Sequence, residues 1–69
     1  GNTQSFTVKI PDAANDSVNV EIVANGRTIH NEMHNKSEGS VTVSIPGSGT
    51  VSVQAYIDGS KVADKNLEF

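Results

Sequence analysis

The sequence predicts an all-β domain in which two antiparallel sheets pack face to face. Apolar and polar residues alternate in four separate runs, and a strand with this period of two turns one face to a core and the other to water. Hairpin dipeptides separate some of the runs, and β-branched Val and Ile supply 14 of the 69 residues. The four apolar runs are Phe6/Val8/Ile10, Val18/Val20/Ile22, Val41/Val43/Ile45 and Val51/Val53/Ala55/Ile57.

The first half of the chain supplies three predicted strands. The first strand is Gln4–Ile10, and it ends there because Pro11 cannot donate a hydrogen bond to a neighbouring strand. The second and third strands are Val18–Ala24 and Arg27–Met33. They form a hairpin because Asn25-Gly26 tolerates the positive φ angles of a type I′ turn.

A two-residue turn also fixes the pairing between the second and third strands. It brings their apolar residues together on one face and pairs Glu21 with His30 on the other. Asn31 then falls opposite Val20, among the inward residues. We therefore expect that the third strand either bulges near Asn31 or is an edge strand with a wet inner corner.

The second half of the chain supplies three more predicted strands, Ser40–Pro46, Thr50–Ile57 and Lys61–Phe69. Asp58-Gly59 has the composition of a type I′ turn and joins the last two strands. Beyond Val62 the apolar residues of the last strand fall out of phase, so we predict a bulge near Asp64–Asn66. The polar stretch His34–Gly39 is predicted to be a loop.

Hairpin connections and regular alternation together predict the order of the strands. The two hairpins pair the second strand with the third and the fifth with the sixth. The second and fifth strands alternate most cleanly, so we place them side by side at the centre of one sheet. The predicted architecture is a four-stranded sheet of order 3-2-5-6 packed on a two-stranded sheet of order 1-4.

This arrangement resembles small bacterial immunoglobulin-like and fibronectin type III-like domains that lack the first strand. The segment VSVQAYIDGSKV, residues 51–62, is similar to the hairpin of the last two strands in such modules. The resemblance implies a two-sheet immunoglobulin-like sandwich of about six antiparallel strands. It also implies an accessory domain, extracellular or in the bacterial cell envelope, of proteins such as class A penicillin-binding proteins.

Length, charge and hydropathy fit one domain, residues 1–69, excised from a larger protein. We interpret Gly1 as a cleavage scar, because a predicted strand follows it almost at once. The net charge is −3 and acidic and basic residues are interspersed, so no basic stripe is available to bind nucleic acid. No run of about 18 apolar residues predicts insertion into a membrane.

Three polar residues of the third strand form the strongest candidate metal site. His30, Glu32 and His34 alternate and share one face, and two imidazoles with a carboxylate can bind Zn²⁺ or Cu²⁺. The same spacing arises on any polar strand face, and we interpret it as an outer face without a metal or cofactor. The loop Asp12–Ser17 offers carboxylates for Ca²⁺ but lacks the EF-hand spacing, so we interpret it as ordinary turn chemistry.

The outer face of the predicted larger sheet is the candidate partner-binding surface. Tyr56 is the only tyrosine and points outward beside Lys61. Exposed aromatic rings are favoured anchors for sugars and protein partners, and the alternative is that the ring packs on the aliphatic stem of Lys61. Gln54, Glu21 and His30 complete the predicted surface.

The sequence contains no motif that predicts catalysis. A nucleophile elbow and a Ser-x-x-Lys motif are both absent from it. We therefore expect a non-enzymatic accessory domain of a bacterial envelope or secreted protein, acting as a spacer or interaction module. The alternative is a module that binds cell-wall glycan or protein through the outer face of the larger sheet. The expected partners are other domains of the parent protein, envelope proteins or cell-wall glycan.

Overall fold

A computed structural model, which describes residues 2–69, confirms the predicted two-sheet architecture. Gly1, interpreted above as a cleavage scar, lies outside the described residues. The strands are β1 Asn2–Lys9, β2 Ser17–Ala24, β3 Arg27–Asn35, β4 Ser40–Gly47, β5 Thr50–Ile57 and β6 Ser60–Glu68. The sheets have the orders β1-β4 and β3-β2-β5-β6, with all pairs antiparallel.

The inward residues of both sheets form one apolar core. The largest of the fully buried side chains are Ile10, Ile22, Ile45, Val18, Val20 and Val53. Burying a Val or Ile side chain contributes about 1.5–3 kcal/mol, and the sequence has no cysteine with which to add a disulfide. The stability of the domain therefore depends on this core.

A bulge in β3 changes the face on which its polar residues lie. The register shifts so that Ile22 pairs with His30, and Ile29 is left as the extra residue. The predicted pairing of Glu21 with His30 is therefore wrong, because Glu21 pairs with Asn31. β3 is an edge strand, and it also bulges: the bulge turns the Asn31 amide outward and packs Ile29 against the core.

A second bulge lies in β6 at Val62, earlier than its predicted position near Asp64–Asn66. The early shift turns both Asp64 and Asn66 to the polar face, opposite polar residues of β5. It also brings Leu67 into the core, and it leaves Val62 itself 45% exposed. Exposing one valine costs less than burying a carboxylate and an amide without partners, which explains where the extra residue lies.

The predicted loop between β3 and β4 is shorter than expected and partly ordered. β3 extends to Asn35, and a single 3₁₀ turn, Lys36–Glu38, follows it. The backbone N–H of Lys36 donates a hydrogen bond to the carbonyl of Asp16, 2.8 Å away, which joins this turn to the loop between β1 and β2. These two connections and the β5–β6 turn lie at one end of the sandwich.

Both ends of the described chain lie at the other end of the sandwich. Asn2 pairs with Gly47 where β1 begins. The side-chain amide Nε2 of Gln4 donates a hydrogen bond to the carbonyl of Glu68, with a distance of 2.6 Å. The first and last strands therefore meet beside the β4–β5 connection.

We expect Gly47→Ala to destabilise the domain. A Cβ atom at Gly47 would lie 2.6 Å from Cγ2 of buried Val51, so the core would have to shift. Overpacking of this kind costs about 1–3 kcal/mol, which urea denaturation can measure. Ser48→Ala, at the next and exposed position, is the matched control. An unfolding free energy equal to that of the wild type would contradict the close approach at Gly47.

Candidate functional site

The two histidines of β3 lie on the inward face of the larger sheet, at its edge. His30 pairs with Ile22 and His34 pairs with Val18, and both partners belong to the core. The side chains of His30 and His34 are only 15% and 17% exposed. The prediction that these histidines lie on a polar outer face is therefore wrong, because the extra residue Ile29 reverses the facing of the strand beyond it.

Four side chains form a continuous chain of polar contacts along this edge. The Nε2 atoms of His30 and His34 are 2.9 Å apart. On its far side, Nδ1 of His34 lies 2.9 Å from Oε1 of Glu38. Nδ1 of His30 lies 3.5 Å from Oε2 of Glu32. We call this the Glu32–His30–His34–Glu38 chain.

The 3₁₀ turn holds the Glu38 carboxylate in position. Its Oε2 atom accepts a hydrogen bond of 2.8 Å from the backbone N–H of Asn35, while Oε1 faces His34. The hydrogen bond from His34 and, after it, the bond from Asn35 hold the pKa of Glu38 below its usual value of 4.5. Glu38 is therefore an ionised acceptor at neutral pH.

The Glu38 carboxylate determines where the protons lie on the histidine pair. An ionised carboxylate only accepts hydrogen bonds, so Nδ1 of His34 carries a proton and donates a hydrogen bond to Oε1 of Glu38. In a neutral His34 ring the Nε2 atom then has a free lone pair. With His34 neutral, the contact between the rings is a hydrogen bond that Nε2–H of His30 donates to Nε2 of His34.

The three residues of the sequence-based metal candidate do not converge on one point. The Glu32 carboxylate faces Nδ1 of His30, on the opposite side of the ring from His34. Within residues 2–69, no group of three His, Cys, Asp or Glu side chains is arranged to hold a metal ion. The inward-facing part of the site is therefore the histidine pair with its two flanking carboxylates.

The outer face of the larger sheet brings four of the five predicted surface residues together. Glu21 pairs with Tyr56 across β2 and β5, and Tyr56 pairs with Lys61 across β5 and β6. These three residues form one row across the sheet, and Gln54 follows on the same face of β5. We call these four residues the Tyr56 face.

His30 does not belong to the Tyr56 face. Asn31 pairs with Glu21 and extends the row onto β3, in the place predicted for His30. The side-chain Nδ2 of Asn19 donates a hydrogen bond of 2.8 Å to Oδ1 of Asn31. An amide therefore replaces the predicted imidazole on this surface.

Asp64 also belongs to this surface, although the sequence analysis did not include it among the surface residues. Its Oδ2 atom accepts a hydrogen bond of 3.1 Å from Nζ of Lys61, and its Oδ1 atom accepts one of 3.1 Å from Nε2 of Gln54. Gln54 and Lys61 together hold the pKa of Asp64 below its usual value of 3.8. Asp64 thus fixes two of the side chains that border Tyr56.

Lys36, in the 3₁₀ turn after β3, contacts the polar loop between β1 and β2. Nζ of Lys36 lies 3.6 Å from Oδ1 of Asp16 and donates a hydrogen bond of 3.3 Å to the carbonyl of Asp12. Within the loop, the N–H of Ala14 donates to the carbonyl of Pro11, as in a turn. Lys36 therefore lies beside the Asp16 carboxylate, which is one of the groups considered for Ca²⁺.

The fold and these two faces define a small two-sheet β-sandwich domain with a polar sheet face and an inward histidine pair. Comparison with protein-family models gives no match, and neither curated proteins nor solved structures give a significant one. In the part of the chain that the structure describes, no helix has the length and apolar character needed to cross a bilayer.

We expect acid to weaken the folded state through Glu38 and Asp64. Their pKa values are lowered on folding, so their contribution to stability is complete above the unfolded values of 4.5 and 3.8. It is lost as the pH falls through the lower folded values. Urea denaturation below about pH 5 should show a shallower pH dependence for Glu38→Gln than for the wild type.

Asp12→Asn, which removes a loop carboxyl outside both networks, controls for the change in net charge. Identical pH dependences for the wild type and Glu38→Gln would show that Glu38 has no stabilising partner in solution.

Proposed function

We propose that this domain is a non-catalytic interaction module of a bacterial cell-envelope or secreted protein, and that it binds through the Tyr56 face. The observation that carries this proposal is the row across the four-stranded sheet. A half-buried tyrosine ring lies between a carboxylate, Glu21, and an ammonium group, Lys61. Aromatic rings bordered by hydrogen-bonding groups are favoured anchors for sugars and protein partners.

The surroundings of Tyr56 support a role in recognition. Asp64 orients Gln54 and Lys61, so their side chains lose little further freedom when a partner binds. Thr28 Oγ1 likewise donates a hydrogen bond of 3.1 Å to Oε2 of Glu21. Strands are rigid supports for such groups, and a face that offers donors, acceptors and an apolar ring suits the hydroxyl-rich surface of cell-wall glycan.

The envelope location in this proposal rests on the immunoglobulin-like resemblance. That resemblance was drawn from the predicted strand order, and the structure has this order, β3-β2-β5-β6 packed on β1-β4. Residues 51–62 form the β5–β6 hairpin, as they do in the modules that they resemble. Because one fold supports many functions, the sequence of the parent protein is the test of this location.

A titration with soluble peptidoglycan fragments, followed by NMR of the ¹⁵N-labelled domain, tests the proposal. We expect shifted resonances to cluster at Glu21, Gln54, Tyr56 and Lys61. Tyr56→Ala should weaken binding by at least about tenfold, because aromatic anchors at interface centres contribute more than about 1.4 kcal/mol.

Tyr56→Phe keeps the ring and Ser44→Ala lies on the other sheet, so both serve as matched controls. A spectrum that neither peptidoglycan fragments nor a soluble envelope-protein extract changes would favour the spacer.

A further inference from the structure

We propose that His30 and His34 form a chelate site for a divalent transition-metal ion, with Cu²⁺ preferred. Glu32 and Glu38 are the outer partners of the two imidazoles in this site. The site lies on the inward face of β3, on the opposite side of the sheet from the Tyr56 face. The inference is therefore independent of the proposed function.

The distance between the two Nε2 atoms is that of two neighbouring ligands of one metal ion. The ring centroids are 5.1 Å apart, so the rings meet nearly head-on and both must turn for their Nε2 lone pairs to converge on an ion. Metal-to-imidazole bonds are about 2.0–2.1 Å long, so Nε2 atoms 2.9 Å apart subtend an angle of about 90° at the ion. Tetragonal Cu²⁺ and Ni²⁺ sites have this angle. A tetrahedral Zn²⁺ ion needs about 3.4 Å between the two nitrogens, so its binding requires His30 and His34 to separate.

The far side of each ring already faces the kind of partner that metal-bound histidines use. Histidine ligands donate their other N–H to a carboxylate, a carbonyl or water, which orients the ring and makes the ligating nitrogen more basic. Nδ1 of His34 has this partner in Glu38, at 2.9 Å. Nδ1 of His30 faces the carboxylate of Glu32, at 3.5 Å.

Binding of the ion requires one proton to change its position. Without the ion, Nε2–H of His30 donates to Nε2 of His34, and only His34 has a free lone pair there. With the ion, both Nε2 lone pairs bind it, and the proton of His30 moves through solvent exchange to Nδ1. The Glu32 carboxylate accepts this N–H, so both rings stay neutral and the proton count is unchanged.

The position of the pair at a sheet edge allows an ion to reach it. The side chains of His30 and His34 are 15% and 17% exposed, so they pack against the core and solvent still reaches them. Two protein nitrogens leave the other coordination positions to water. Affinity for such nitrogen sites follows the order Ni²⁺ < Cu²⁺ > Zn²⁺, which agrees with the preference derived from the angle.

Calorimetric titration of the domain with CuCl₂ in a weakly coordinating buffer tests the site. We expect binding of one equivalent, tighter for Cu²⁺ than for Ni²⁺ or Zn²⁺, and its loss in both His30→Gln and His34→Gln. Glu38→Gln keeps both imidazoles and should weaken binding about 10- to 100-fold. Glu68→Gln removes the same charge at the far end of the sandwich and should bind as the wild type does.

Absence of one-equivalent binding, or its persistence in both histidine variants, would overturn the proposal. Imidazole ¹⁵N spectra of the wild type provide a second test that does not require any variant to fold. Saturation with Zn²⁺ should shift both Nε2 resonances and convert His30 from the Nε2–H to the Nδ1–H tautomer. An unchanged tautomer of His30 would also contradict the site.

Discussion

The bulge at Ile29 in β3 determines which polar side chains enter the sandwich and which face solvent. Without the extra residue, the amide of Asn31 would lie against the core, where burying a polar group without a partner costs about 2–7 kcal/mol. With it, Ile29 joins the core and Asn31 joins the outer face. His30 and His34 turn inward, where their rings contact each other and the carboxylates of Glu32 and Glu38. The imidazoles that face inward therefore have polar partners.

The sequence was sufficient for the parts of the fold that depend on local patterns. Strand β5 has the longest uninterrupted alternation, and its predicted bounds are those observed. The hairpin turns follow from residues that tolerate positive φ, and Asn25 and Asp58 adopt φ angles of 48° and 49°. Strand order followed because these two hairpins leave few ways to pair the remaining strands.

Bulge positions were harder to predict, because the gain from a shifted register is spread over all later residues of the strand. In β6 the pattern showed that a bulge was needed, but not that Val62 was the residue to expose.

The contact between His34 and Glu38 depends on the 3₁₀ turn. Asn35 followed by Glu38 has the spacing of an N-terminal capping pair, which was the available signal for it. The contact between His30 and His34 itself depends on the bulge.

β3 carries its extra residue at Ile29, and this turns the histidines inward. NMR distance restraints across the β2–β3 hairpin test this register directly, because each register brings different backbone protons together. We expect cross-strand contacts between Ile22 and His30 and between Val18 and His34. Contacts between Glu21 and His30 would instead show a hairpin without the bulge, with the histidines on the outer face.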